Sequence, residues 1–137
     1  MRSVIRVGLV ITLATVWASW AASAQEALTK SDRRGPVSVT VTLAAPPMVG
    51  APIKAKVVLD THSVGLDGIA FDSAVALRGA DGSEVVPTAV QATGSGHHRE
   101  AVLEFPAPAA PGKLRIVVKN VGGVAERSFE WEAQPAR

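Results

Sequence analysis

The three histidines of the chain fall in two short segments whose residue types suit metal ligation. His62 lies in a DTHS segment that begins at Asp60, and His97 and His98 are adjacent in a GHHR segment. Imidazole nitrogen suits copper and zinc, and a chain without cysteine can offer these metals only nitrogen and oxygen ligands of this kind. We predict a divalent-metal (copper or zinc) site made by His62 with His97 or His98, with Asp60 as a ligand or as a hydrogen-bond partner of a ligand.

A structural role for the same residues stays open as the alternative. The Asp, Thr and Ser side chains of the DTHS segment can bond nearby backbone N–H groups and shape a turn. His97 can be satisfied by Asp60 or by a carbonyl group, and Arg99 by an acid across a sheet. The chain is then a structural or protein-interaction domain in which the histidine segments only brace the loops.

A third segment, GGVAERSFEW, ends at Trp131. Its two leading glycines favour a positive-φ turn or a bulge. Glu126 and Arg127 follow, and we expect Arg127 to form an ion pair; an exposed pair of this kind contributes only about 0–1 kcal/mol. Trp131 is expected to fill the core.

Catalysis fits these residues poorly. Ser63, Asp60 and a histidine include the residue types of a nucleophilic triad, but Ser63 lacks the context of a nucleophile elbow and no oxyanion hole is evident. Copper enzymes that use an N-terminal histidine are disfavoured because the predicted mature chain begins at Gln25. Met48 is the single methionine beyond the N-terminal segment, which argues against a thioether-rich Cu(I) carrier. We expect no enzymatic activity.

Short alternating segments must position these residues. Apolar residues alternate with polar ones over most of the chain, which is the pattern of strands that bury one face. We predict strands at 37–43, 53–60, 73–78, 84–92, 99–105, 113–120 and 125–132, with a glycine-bearing hairpin turn at 79–83. About seven short strands without an amphipathic helix predict an all-β chain, a single immunoglobulin or fibronectin type III-like antiparallel β-sandwich.

Strand alternation also predicts where the histidines point. His98 shares its parity with Glu100, on the outward face, whereas His97 shares its parity with Leu103 and should lean toward the core. His62 follows its strand on a loop. A regular strand lets one of the adjacent histidines join His62, and a backbone loosened by the preceding glycines would allow both.

The N-terminus has the features of a secretory signal. Arg2 and Arg6 precede an apolar run at 7–22, and Ala-Ser-Ala then predicts cleavage after Ala24. The run is short for a membrane span, which needs about 20 apolar residues. We therefore predict export to the periplasm or the medium without a stable membrane anchor, with an uncleaved anchor as the alternative.

The remaining chain divides into three parts. We expect a flexible leader at 25–35, the β-sandwich domain at 36–133 and a C-terminal tail at 134–137. The full chain has 14 basic and 12 acidic residues, and removing residues 1–24 takes away two arginines and leaves 12 of each. A balanced chain without a basic cluster argues against nucleic acid as a partner. The expected partners are a metal ion or an envelope or secreted protein.

The three segments together resemble a functionally uncharacterised family of short exported prokaryotic proteins that carry DTHS-type, GHHR-type and GGVxERxFxW-type segments. The resemblance covers residues 37–131. It implies a small exported β-sandwich and assigns no activity. In that family an acidic residue often follows the valine of the first segment. Gly65 stands there in this chain, which argues against an acidic cation site at that position.

Overall fold

The computed structural model describes residues 27–137, which form nine β-strands and a four-residue helix. In chain order these elements are β1 (Thr29–Asp32), β2 (Val37–Leu43), β3 (Ile53–Thr61), α1 (Phe71–Ala74), β4 (Val75–Arg78), β5 (Glu84–Val85), β6 (Ala89–Ser95), β7 (His98–Phe105), β8 (Gly112–Val121) and β9 (Val124–Ala133).

The strands form two antiparallel sheets. One sheet has the order β1-β2-β3-β7-β6 and the other the order β5-β4-β8-β9. In an immunoglobulin constant-type sandwich, strands A, B, E and D form one sheet and strands C, F and G the other. Here β2, β3, β7 and β6 take the first four places, and β4, β8 and β9 take the other three. The predicted immunoglobulin-like β-sandwich is confirmed, with β1 and β5 as additional edge strands.

The alternation of the sequence places one face of each sheet in a shared core. Along β2 every second residue from Val37 to Leu43 is buried, and the hydroxylated residues between them are half-buried. Leu103 and Phe105 of β7 are buried on the same side of their sheet. Trp131 of β9 packs into this core from the opposite sheet, as predicted. The core therefore sits between β2-β3-β7 and β4-β8-β9.

The segment 84–92, predicted as one strand, is two strands in different sheets. β5 ends at Val85 and pairs with β4, whereas β6 begins at Ala89 and pairs with β7. Pro87 lies between them, and its missing N–H group and fixed φ interrupt a strand ladder. The proline therefore marks the point where the chain crosses from one sheet to the other.

Two local predictions near β4 have different outcomes. The hairpin turn at 79–83 is confirmed, since Gly79 N donates to Ser83 O at 2.9 Å and Gly82 adopts a φ of 83°. The strand predicted from residue 73 is wrong at its start, because Ser73 and Ala74 belong to α1. Ala74 N donates to Ala70 O at 2.8 Å, which keeps this turn helical until β4 begins.

The flexible leader predicted at 25–35 is wrong for residues 29–32, which form β1 against β2. The outer face of β2 carries threonines, and the hydroxyl of Thr42 lies 3.0 Å from that of Thr29. Such hydroxyl pairs let a polar segment add to the sheet. The predicted signal at 1–24 lies outside the described residues. Residues 27–137 contain no helix that is long and apolar enough to cross a membrane.

Candidate functional site

The DTHS and GHHR segments meet at one end of the sandwich, as their predicted loop positions required. Asp60 near the end of β3 is the register partner of His98 at the start of β7. The backbone N–H of Thr61 donates to the carbonyl oxygen of His97 at 3.0 Å. The rim of the domain is therefore built by these two segments together, and we call it the histidine rim (residues 60–70 and 96–99).

His98 lies between two carboxylates on the outer face of the sheet. Its Nδ1 is 2.5 Å from Asp60 Oδ1, and its Nε2 is 3.6 Å from Glu100 Oε2. The hydrogen bond with Asp60 and the charge of that carboxylate, with a smaller contribution from Glu100, raise the pKa of His98 above 6.5. The outward direction predicted for this side chain is confirmed. Its side chain is 57% exposed, so the link between β3 and β7 is solvated.

The two carboxylates beside His98 do not converge on one point. The two nitrogens lie at different edges of the imidazole ring. Nδ1 is directed at Asp60, and Nε2 is directed at Glu100. Among residues 27–137 no group of three or more His, Asp or Glu side chains is arranged to hold a metal ion. The structure thus brings Asp60 and His98 together as a hydrogen-bonded pair, and metal binding by these residues stays a prediction.

His62 and His97 are both exposed. His97 lies in the two-residue turn between β6 and β7, beside Gly96 with its φ of 67°. The prediction that His97 leans toward the core is wrong, because β7 begins only at His98 and strand parity does not extend into the turn. The backbone carbonyl group of His97 accepts the hydrogen bond that joins this turn to the DTHS segment.

Arg99 holds the loop that follows β3. Its guanidinium group donates to Leu66 O at 2.9 Å and to Ile69 O at 2.6 Å, and it lies 5.0 Å from the centre of the Phe71 ring. The expected acid partner across the sheet is therefore replaced by two carbonyl groups and an aromatic face. A planar guanidinium group with several donors is suited to this combination.

Further hydrogen bonds tie the same loop to the GHHR segment. Leu66 N donates to Gly96 O at 2.9 Å, and Gly96 N donates to Asp67 Oδ1 at 2.8 Å. The hydroxyl of Thr61 donates to Pro36 O at 2.8 Å, and Ser63 N donates to that hydroxyl at 3.2 Å. The histidine rim is thus cross-linked by main-chain bonds and short polar side chains.

The GGVAERSFEW segment contributes to two ion pairs. Glu126 accepts two hydrogen bonds from Arg78 at 2.8 and 2.9 Å on the exposed face of its sheet. Arg127 points inward, is completely buried and pairs with Asp32 at 3.1 Å. The predicted ion pair of Arg127 is confirmed, but the expectation of an exposed pair is wrong. The predicted turn is also confirmed, since both Gly122 and Gly123 adopt a positive φ.

Sequence inspection missed the exposed edge of β6. Within residues 27–137 the two sheets end in β1 and β6, and in β5 and β9. β6 spans seven residues without a charge, and all of them are exposed except the half-buried Val90. The sequence signal for this edge is the absence of Asp, Glu, Lys and Arg from residues 85–98, whereas 19% of the residues in the whole chain are charged.

An apolar cleft lies at the other end of the sandwich. It has a volume of about 360 Å³ and is bounded by the 79–83 turn and by residues 106–110. None of the three histidines lines it. The cleft is therefore separate from the histidine rim.

Comparison with solved structures finds a likeness in fold at low sequence identity. No protein-family model matches the chain, and no curated protein matches it. The chain is similar to a chain in the crystal structure of a mutant titin–obscurin-like 1 Ig complex, with 11% sequence identity and a TM-score of 0.34. That alignment covers 79% of this chain and 95% of the other.

Proposed function

We propose that this chain is an exported, non-enzymatic protein-binding module that takes an extended segment of a partner protein onto the open edge of β6. In this mode the partner adds one strand to the sheet, main-chain hydrogen bonds provide affinity and side chains of alternate residues provide selectivity. The binding element is the edge strand, and the histidine rim holds the β6–β7 hairpin that carries it.

The contrast between the edge strands of the two sheets carries this proposal. Folded proteins protect open edges with charges, prolines or very short strands, because unpaired N–H and C=O groups invite other chains to pair. β1 carries Lys30 and Asp32, β5 has two residues and is followed by Pro87, and β9 carries four charged residues. β6 has neither a charge nor a proline over its seven residues; α1 lies against it, and Gly94 near its end adopts a φ of 85°.

The contacts of the histidine rim favour bracing over ligand binding. Asp60 is bonded to His98, Asp67 to Gly96, and Arg99 to two carbonyl oxygens. These side chains hold β3, the following loop and the start of β7 in one arrangement. A hairpin supported in this way can present β6 as a rigid edge, which lowers the entropy cost of binding.

Export rests on the predicted signal at residues 1–24. A segment with two arginines, an apolar run and an Ala-Ser-Ala site directs a chain to the general secretion route. The test is the N-terminal sequence of the protein recovered from outside the cytoplasm. A chain that begins at Gln25 supports export with cleavage, and a chain retained in the cytoplasm with Met1 contradicts it.

Site-specific photo-cross-linking tests the binding edge. A photo-reactive amino acid replaces Gln91 of β6 in the full chain within the producing cell, and the matched control replaces Ser128, an exposed residue of the charged strand β9. We expect the position 91 probe to give an adduct with one defined protein, mapped by mass spectrometry to one extended segment. The same adducts from both positions, or none from position 91, would contradict the proposal.

A further inference from the structure

We infer that the strand added to β6 is β6 of a second copy of this chain, so that two sandwiches join into one continuous sheet about a two-fold axis. The inference rests on the proposed function of the β6 edge and adds the identity of the partner. Two-fold pairing of identical surfaces is the commonest arrangement in protein oligomers. It requires an edge that is complementary to itself.

The sequence of β6 meets this requirement in an antiparallel register centred on Ala92. In that register Gln91 opposes Thr93 of the second copy, and Ala89 opposes Ser95. Side chains of the outer face then meet only outer-face side chains, because residues of equal parity are paired. All the opposed residues are uncharged, so that no like charges face each other across the axis.

Charges near β6 also allow two copies to approach. Glu100 and Glu104 of β7 lie beside β6, as the register partners of Thr93 and Ala89. Glu100 is paired with Lys56 at 3.2 Å, which offsets its charge on the same face. From Gln25 onward the chain has equal numbers of basic and acidic residues, so it lacks the net charge that keeps copies apart.

The length of β6 predicts a weak dimer. Seven residues at ~3.4 Å per residue give a strand of about 24 Å, which is enough for one ladder of main-chain hydrogen bonds. The surface that such a ladder covers is at the low end of specific interfaces, where association is transient. The dimer should therefore depend on concentration.

Complementary charge variants test this register. The Gln91→Lys, Thr93→Lys variant places two lysines opposite two lysines, and the Gln91→Glu, Thr93→Glu variant places glutamates opposite glutamates. Mixing the two variants places lysine opposite glutamate at both pairs. The matched control is Ala125→Lys, Ser128→Lys, at two exposed positions of β9.

Sedimentation velocity of the chain from Gln25 to Arg137 is the measurement. We expect a concentration-dependent dimer for the unaltered chain and for the β9 control, a monomer for each charge variant alone, and a mixed dimer on mixing. Dimerisation of the mixture also shows that the variants are folded. An unaltered chain that stays monomeric at millimolar concentration, or charge variants that each dimerise like the unaltered chain, would overturn the inference.

The cross-linking experiment separates this inference from the proposed function. Adducts at position 91 with a different protein, together with a monomeric chain, contradict the second copy as partner and keep β6 as a binding edge. If there is neither an adduct at position 91 nor a dimer, the proposed function and the inference of a second copy are both contradicted.

Discussion

Arg127 of β9 and Asp32 of β1 form a salt bridge of 3.1 Å that joins the two sheets, and Arg127 is completely buried. Arg127 also donates to Val121 O at 3.1 Å, while its Nε has no hydrogen-bond partner within the described residues. Arg34 binds the same carboxylate from the exposed side. Asp32 therefore compensates the charge of a buried arginine.

Removing the carboxylate should destabilise the domain strongly. Asp32→Ala leaves the charge of Arg127 buried and uncompensated, and losing one partner of a buried pair costs about 3–5 kcal/mol. We expect the low end, about 3 kcal/mol, because the Asp32 side chain is 15% exposed. Urea unfolding measures the difference. The double variant Asp32→Ala, Arg127→Met should recover part of the loss, and a single variant within 0.5 kcal/mol of the parent would contradict this account.

Titration of the Asp32 carboxylate should make the stability of the domain depend on pH in the acid range. The hydrogen bonds from Arg34, together with the charge of Arg127, lower the pKa of Asp32 from 3.8 to about 2. A lowered folded-state pKa gives stability that is present above 3.8 and is lost as the pH falls toward 2. We expect Asp32 to contribute about 2 kcal/mol of this loss.

Comparing the parent with Asp32→Asn isolates that contribution from those of the other carboxylates. The free energy of unfolding is measured from pH 5 to pH 2 for both chains. The parent should lose more stability over this range than the variant does. Parallel pH profiles would show that Asp32 does not titrate as its contacts require.

His98 should titrate above its usual range because of Asp60. Its raised pKa means that the stability from this link is present below pH 6.5 and is lost as the pH rises through the folded-state value. NMR titration of the His98 ring measures this pKa directly. Asp60→Asn should lower it, and Asp67→Asn, which removes a bond to Gly96 N instead, should leave it unchanged. Equal effects of the two variants would sink the assignment.

Metal titration distinguishes bracing from ligation at the histidine rim. Calorimetry of the untagged chain with Cu(II) and Zn(II) tests the metal site predicted from the histidine segments. Bracing alone, with the carboxylates beside His98 placed at different edges of its ring, predicts no stoichiometric binding in the micromolar range. One equivalent bound in that range, and lost in both His62→Ala and His97→Ala, would instead establish the metal site that the histidine spacing predicts.

Much of the fold was predictable because burial of one strand face imposes a period of two. The alternation from Val37 to Leu43 gives the bounds of β2, and the glycines around residues 79–83 give the β4–β5 hairpin. The meeting of the DTHS and GHHR segments also follows, since loops at one end of a sandwich are neighbours. These inferences depend on local pattern and on general rules of sheet packing.

The site was less predictable because its contacts join distant parts of the chain. Arg99 bonds carbonyl groups 33 and 30 positions earlier only because the loop before α1 folds over the start of β7. Whether strand alternation applies to His97 depends on which residue begins β7, and a one-residue difference decides it. Alternation cannot define the end of a strand to that accuracy.

The sequence by itself determined an all-β chain, the buried face of strands such as β2, β3 and β7, and the presence of a histidine-bearing rim. Tertiary structure alone decided that residues 84–95 divide between two sheets, that Thr29–Asp32 adds a strand, and that Asp32 reaches Arg127. The physical reason is that strand alternation specifies which face of a strand is buried. Which strand lies beside it, and which strands remain at an edge, depends on pairing across the whole chain.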